Sequence, residues 1–456
     1  MITYMIGGKR MVKDMSVGSP FKLLLSFSIP MLIGNIFQQF YSMVDTVVVG
    51  RFISVQALAA LGATGALNFL VLGFIIGVAN GFSVIIAQRF GEKNFAAMRR
   101  AVAMGAILSV AVAVIVTFLS VALCEPLLRM MQTPADIIED AKTYIDIIFW
   151  GIIATMFYNF VSAVLRAMGD SKTPLYFLVF SSLVNVVLDL LFVIVFRMGV
   201  AGAGWATVIS QALSFVLCYF YMRKKHPVLH LTKEDWRFDS HTSKNLLRIG
   251  VPMGLQSSVT AVGVVILQGA VNSFGSVTVA AYTAASKVEQ VAIQPMITFG
   301  LAISTFAGQN LGAKKLGRIR EGVRQCILIS MVSCVLFAVL IWVFGDAMVS
   351  LFVSGHNPEL FDQARLYLNM VSLFFCVLGL LFIFRSALQG LGNALVPMLS
   401  GIMELVMRVI VALVLSQVMG YFGICLAGPV AWTGATILLV ISYFVVMGKM
   451  QNRIKN

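Results

Sequence analysis

Twelve separate apolar runs dominate this chain of 456 residues, and each run is long enough to cross a lipid bilayer. A helix needs about 20 residues to cross ~30 Å of hydrocarbon. The runs lie approximately at residues 22–49, 57–87, 101–124, 144–165, 174–196, 201–222, 246–273, 279–308, 325–345, 366–388, 397–418 and 424–447. Each run is continuously apolar and far longer than the roughly 10 alternating residues of a membrane β-strand, which excludes a β-barrel. The pattern predicts an all-α polytopic membrane protein with twelve transmembrane helices.

Composition excludes a soluble domain, because 59% of the residues are hydrophobic and only 11% are charged. The first apolar run is not followed by a small-residue cleavage site of the secretory type, so we expect it to stay in the mature protein. The six cysteines form no CxxC motif and no Cys/His cluster. They are interpreted as thiols of the membrane core.

The net charge of +14 reflects membrane topology rather than a nucleic-acid partner. When spans are counted from a cytoplasmic N-terminus, most basic residues fall on the inner side. The inner set comprises Lys9, Arg10, Lys13, Lys22, Arg89, Lys93, Arg99, Arg100, Arg166, Lys172, the loops 223–248 and 314–324, Arg385 and the C-terminal tail. The outer set comprises Arg51, Arg129, Lys142, Arg197 and Arg365. We therefore predict a multi-pass protein of the cell membrane, in contact with lipids, with both termini cytoplasmic.

The chain contains two copies of one design. Three pairs of residues recur in the same order and at nearly the same spacing, each within a similar local sequence: Pro30 with Pro252, Gln88 with Gln309, and Pro174 with Pro397. Because six helices per copy is an even number, the second copy enters the membrane from the same side, and the repeats are parallel. The predicted organisation is a six-helix lobe at 1–222, a cytoplasmic linker loop at 223–245 and a second six-helix lobe at 246–456.

Two parallel helical lobes favour a transporter that works by alternating access. The chain has no GxxxxGK[ST] phosphate-binding loop, so it does not hydrolyse ATP to drive transport. A secondary transporter is predicted, rather than an enzyme, with a coupling ion and no cofactor. A channel or receptor is the less favoured alternative, because membrane-buried acids in two lobes suit a carrier better.

Several blocks resemble the multidrug and toxic compound extrusion (MATE) family in fixed order over essentially the whole chain. They are IPMLIGNIFQQFYSMVDTVVVGR, AQRFGEKN, LRAMGDSKTP, SSLVNVVLDLLF and ALQGLGNALVP. The resemblance implies two six-helix lobes in a V-shaped arrangement. It also implies Na+ or H+ coupled export of amphipathic, often cationic, small organic compounds, and we expect a monomer. A flippase of lipid-linked sugars or other lipids is the alternative function, although acids in the first lobe favour cations over phosphates.

The positions of the acids resemble those of the bacterial DinF-like branch of this family. Asp45 lies in the first predicted helix, and Asn185 and Asp189 lie in the fifth. The seventh helix, PMGLQSSVTAVGVVILQGAV, has no acid, whereas the NorM-like branch carries one there.

Asp45 interrupts an apolar run, and an ionised carboxylate in hydrocarbon costs at least ~2.5 kcal/mol. It could lie at the outer interface, since Arg51 is near in sequence, or it could form a proton or sodium site. Tyr41, four residues earlier, shares its helical face and could donate a hydrogen bond.

Asn185 and Asp189 share one helical face because they are four residues apart. Asp45 and Asp189 each follow a proline by fifteen residues, which places both about 22 Å beyond that proline. Two carboxylates in a poorly hydrated site disfavour each other's ionised form, so one could hold a proton, whereas an oxygen-rich pocket could hold Na+. We predict Asp45 and Asp189 as the coupling pair, with Asn185, Tyr41 and Thr207 as partners.

Pro30 and the charges of the second lobe complete the set of candidates. Pro30 frees a backbone carbonyl in its own helix and is the predicted hinge. Glu404 and Arg408, one turn apart, predict a structural ion pair. Glu289 has no such partner, because Lys287 is two residues away and points to another face.

Overall fold

The computed structural model describes residues 3–6, 9–353 and 357–455, with side chains for 14–39, 43–353 and 357–452. The chain divides into two compact units: unit 1 is Met1–Val17 with Ile29–Ser258, and unit 2 is Gly18–Ser28 with Val259–Asn456. Helices α1, Pro20–Phe52, and α8, Ser240–Asn272, each begin in one unit and continue in the other.

The remaining elements fall within one unit each. Unit 1 contains β1 Thr3–Ile6, β2 Lys9–Lys13, α2 Val55–Gly91, α3 Phe95–Met130, α4 Ile138–Trp150, α5 Ile152–Ala167, α6 Lys172–Asp189 and α7 Val200–Lys225. Unit 2 contains α9 Ser276–Ala292, α10 Gln294–Gly312, α11 Leu316–Ser350, α12 Pro358–Leu373, α13 Phe375–Gly390, α14 Leu395–Met419 and α15 Tyr421–Lys455. The antiparallel hairpin of β1 and β2 was not predicted.

The predicted spans are confirmed within the described residues. Ten helical segments are long and apolar enough to cross a membrane, and two bent pairs bring the number to twelve. The bent pairs are α4 with α5, at 47°, and α12 with α13, at 50°. They coincide with the predicted spans 144–165 and 366–388, so the all-α polytopic fold is confirmed.

The duplication recurs in local backbone conformation. Lys93 and Lys314 stand at the same spacing as Gln88 and Gln309, and both adopt positive φ, at 59° and 57°. Gly199 and Gly420 keep that spacing too, with φ of 61° and 60°. Non-glycine residues rarely adopt such angles, so their recurrence at the repeat spacing supports a common design.

Within unit 1, α2 and the first half of α8 cross at very short distance because glycines face each other. Gly77 and Gly81 on α2 meet Gly250 and Gly254 on α8, which gives a small-xxx-small pattern on both helices. A Cβ atom on Gly81 would lie 2.5 Å from Gly250 Cα. The two backbones therefore leave no room for a side chain here.

The polar segment between α7 and α8 is held to α3 by ion pairs. Arg99 Nε lies 3.2 Å from an oxygen of Asp235, and Arg100 lies 4.0 Å from Asp239. Asp235 also accepts hydrogen bonds from the backbone and hydroxyl of Thr232. The ion pairs hold the segment that contains the predicted linker loop against α3.

Candidate functional site

The end of α6 buries two polar side chains in the interior of unit 1. Asn185 and Asp189 lie one helical turn apart, and both are fully buried. Neither carboxyl oxygen of Asp189 accepts a hydrogen bond from an N–H or O–H donor in the described part of the chain. A buried carboxyl without donors is stable only when it is neutral or bound to a cation.

The neighbour of Asp189 is the carboxyl of Asp45 on α1. The two carboxyls are near enough to repel each other when both are ionised. Asp45 is half-buried, although Arg51 follows it closely and is exposed. The structure therefore brings together two acids that lie far apart in the sequence, on the first and fifth predicted spans.

Thr207 on α7 lies beside the same pair of residues. Asn185 Nδ2 is 3.5 Å from Thr207 Oγ1, and this hydroxyl donates to the Ala203 carbonyl at 3.1 Å. Asn185 Oδ1 has no hydrogen-bond partner in the described residues. Two carboxyls, an amide oxygen and a hydroxyl are thus collected in one region. The side chain of Tyr41, the remaining predicted partner, lies outside the described residues.

Two features of this site were missed by sequence reasoning. A π-helical segment, Leu190–Val195, follows Asp189 directly and widens the helix at the site; such segments are frequent at functional sites. Tyr144 on α4 lies within electrostatic range of both Asp45 and Asp189. The repeat could have indicated Tyr144, because Tyr367 follows it at the spacing that separates Pro174 from Pro397 and also contacts an acid.

In unit 2, an ion cluster occupies the repeat position that Asn185 and Asp189 occupy in unit 1. The predicted pair is confirmed, with Arg408 Nη2 at 2.7 Å from Glu404 Oε1. Arg385 on α13 is a third member, at 2.8 Å from the other Glu404 oxygen. All three side chains are buried. Arg385, which the sequence analysis counted only as a basic residue of the inner side, therefore also compensates a carboxylate inside the unit.

Glu289 on α9 is engaged separately. Its Oε2 accepts a hydrogen bond of 2.7 Å from the hydroxyl of Tyr367 on α12. The rings of Tyr367 and Tyr282 meet edge to face at 5.0 Å. Across the described residues, no group of three or more His, Cys, Asp or Glu side chains could hold a metal ion.

Helices of this length, repeated in two units with acids buried among them, define a polytopic membrane transporter built by duplication. Residues 30–191 and 252–414 both match the MatE family model. The chain belongs to this family of transporters, which are not enzymes. The finer assignment to the DinF-like branch stays a prediction.

Similar proteins span nearly the whole chain. The probable multidrug resistance protein YpnP of Bacillus subtilis (strain 168) is 33% identical over 382 residues, 84% of this chain and 85% of the relative. The probable multidrug resistance protein YoeA of the same organism is 28% identical over 428 residues, 92% of each chain. A solved outward-facing multidrug resistance MATE family transporter of the MOP superfamily has a TM-score of 0.90 at 22% identity, covering 97% of this chain and 99% of that one. This last likeness concerns the fold.

Proposed function

We propose that the chain is a secondary antiporter that exports amphipathic, often cationic, organic compounds in exchange for H+. The observation that carries the proposal is the proximity of Asp45 to the fully buried Asp189. Two neighbouring carboxylates in a buried site repel each other, and neither oxygen of Asp189 has a donor in the described residues, so a proton on one of the two acids removes an unfavourable charge. The pair is therefore suited to bind and release one proton.

Release of that proton would change the electrostatics of unit 1. Asp189 is fully buried and has no hydrogen-bond donor in the described residues, so its ionised form is uncompensated. Such a charge favours any rearrangement that brings water or an organic cation to the site. Proton and cationic substrate would then compete for the same carboxyls, which is the basis of exchange.

Pro30 is the proposed hinge for this rearrangement. It lies within α1, two residues beyond Ser28, where the helix passes from unit 2 to unit 1. A proline removes one backbone hydrogen bond from its helix and leaves the carbonyl one turn earlier free. Because Asp45 is on the same helix, bending at Pro30 would move the carboxyl. Alternating access of the two predicted lobes is proposed to follow from this coupling.

Sodium is a second candidate for the coupling ion, and the oxygen atoms of the site favour it. Asp189 and Asn185 both present acceptors without donors in the described part. Hard cations such as Na+ prefer oxygen ligands of this kind. Purified protein in liposomes, exporting a fluorescent cation under separately imposed pH and sodium gradients, distinguishes the two ions. We expect a response to the pH gradient alone, whereas a response to sodium alone would overturn proton coupling.

The relatives support export of drugs or toxins as the activity. YpnP and YoeA are both named as probable multidrug resistance proteins, and we extend that activity to this chain. The lipid flippase considered from the sequence receives no support from these relatives.

We further propose that both termini are cytoplasmic, since the basic residues favour that orientation.

A further inference from the structure

One exposed stripe of α9 is polar, although the helix belongs to a membrane span and Val291 beside the stripe is exposed as well. Thr283, Lys287 and Gln290 are exposed and follow one another at intervals of four and three residues, so they form one stripe. The exposed residues of α11 and α14 give the opposite picture. Over residues 328–344 of α11 and 395–414 of α14 they are apolar and include Leu328, Val332, Val335, Val339, Val343, Leu399, Ile402, Val406, Ile410 and Leu413. Those helices show a lipid-facing pattern, whereas α9 does not.

Lys287 lies deep along its span. It follows Ser276, the first residue of α9, by eleven residues, which corresponds to about 17 Å of helix. Ser276–Gly312 forms one candidate span of 37 residues. A charged side chain exposed to lipid chains at such depth costs at least ~2.5 kcal/mol, and intramembrane charges almost always face protein or water. The polar stripe of α9 therefore favours contact with water or a polar ligand over contact with lipid chains.

The charge of Lys287 is not compensated by the acids of its own unit. Lys287 has no hydrogen bond or ion pair in the described residues, whereas Glu289, two positions away, accepts from Tyr367. Glu404 is occupied by Arg385 and Arg408. Within the described part of the chain, Lys287 is thus a cation at membrane depth that is available to a ligand.

The stripe is specific to the second repeat. At the spacing that aligns Gln88 with Gln309, the counterparts of Thr283, Lys287 and Gln290 are Gly62, Ala66 and Phe69 on α2. None of these can hold a charge or donate a side-chain hydrogen bond. The two repeats therefore present different chemistry at equivalent positions.

We propose that Lys287 binds a carboxylate or phosphate group of the transported compound, with Gln290 as a neighbouring hydrogen-bond donor. Substrates then include amphipathic zwitterions and organic anions, in addition to simple cations. The ammonium group provides three donors and a positive charge, and charge-assisted bonds of this kind are stronger than neutral ones. Export of such compounds rests on the proposed function, but their binding to Lys287 does not.

Rhodamine B and its ethyl ester form a matched pair of probes. Both carry the same cationic ring system, and only rhodamine B has a free carboxylate. Binding is measured by fluorescence anisotropy on purified protein in detergent, and transport is measured with the same dyes in liposomes under a pH gradient. The variants are Lys287→Met, which keeps length without charge, Lys287→Arg, which keeps the charge, and Lys233→Met in the exposed loop before α8 as the control.

Wild type should bind rhodamine B about tenfold more tightly than the ester, the size expected of one charge-assisted hydrogen bond. Lys287→Met should abolish this preference and leave ester binding unchanged, while Lys287→Arg and Lys233→Met should retain it. Equal affinity of wild type for the two dyes, or an unchanged preference in Lys287→Met, would overturn the anion site. Loss of the preference for rhodamine B when anionic lipid is added would assign Lys287 to headgroups and also overturn it. Binding with the expected preference but no transport of either dye would instead contradict the proposed function.

Discussion

Arg385 and Glu404 lie on different helices of unit 2, yet their side chains form a buried ion pair of 2.8 Å. Arg408 binds the other oxygen of the same carboxylate at 2.7 Å. The carboxylate of Glu404 therefore compensates two guanidinium groups. Its removal leaves both positive charges buried without a partner. Replacement of either arginine leaves a neutral pair.

This arrangement predicts an order of stability among three variants. Glu404→Gln should cost about 3–5 kcal/mol, the range for an uncompensated buried charge, and Arg385→Met should cost clearly less. The double variant Glu404→Gln with Arg408→Met should remain less stable than Arg385→Met, because Arg385 is still uncompensated. Thermal unfolding of purified protein in detergent measures the order. Equal losses for Glu404→Gln and Arg385→Met would contradict the three-membered cluster.

The close crossing of α2 and α8 predicts a position-dependent cost of one methyl group. Gly81→Ala would place Cβ at 2.5 Å from Gly250 Cα, and a backbone atom cannot move aside cheaply. We expect a loss of about 1–3 kcal/mol. Gly62→Ala on the same helix is the control, since nothing lies within 4 Å of its Cβ, and alanine there should be neutral or slightly stabilising. A neutral Gly81→Ala in thermal unfolding would show that the helices are not in contact.

Asp235 predicts a pH dependence of the segment before α8. Burial raises the pKa of Asp235, but hydrogen bonds from Thr232 and from Arg99 outweigh it and hold the pKa below the ordinary value of 3.8. A lowered pKa contributes stability that is present above the ordinary pKa and is lost as the pH falls through the lowered one. Asp235→Asn should therefore unfold at lower temperature at neutral pH. Its deficit relative to wild type should shrink on acidification towards about pH 3. A deficit that stays constant over this range would exclude the charged pair as its cause.

The topology is tested by cysteine probes in intact cells. Since both termini and the loop between α7 and α8 are proposed to be cytoplasmic, single cysteines at positions 224 and 456 should not react with an impermeant reagent added outside. They should react after the membrane is permeabilised. A cysteine replacing the exposed Ser273, between α8 and α9, is the outer control and should react in intact cells. Reaction at position 224 from outside would reverse the orientation.

The spans and the shared helical face of Asn185 and Asp189 could be predicted from the sequence because each depends on local pattern. Apolar length gives a span, and the spacing of Asn185 and Asp189 gives a shared helical face. Tyr144 and Arg385 could not be assigned to their partners in this way, since each contacts residues on another helix. The π-helical segment after Asp189 could not be predicted either, because Leu190–Val195 continues the apolar run of the helix without a break.

The most direct test of the proposed mechanism is release of protons from purified protein on addition of a transported organic cation. A pH-indicator dye in weakly buffered detergent solution measures this release. If Asp45 and Asp189 share a proton that the substrate displaces, wild type should release about one proton per molecule bound. Asp189→Asn and Asp45→Asn should still fold, because a neutral amide costs less than a carboxylate in the membrane, but they should release none. Proton release of wild-type size from either variant, at saturating substrate, would contradict the account.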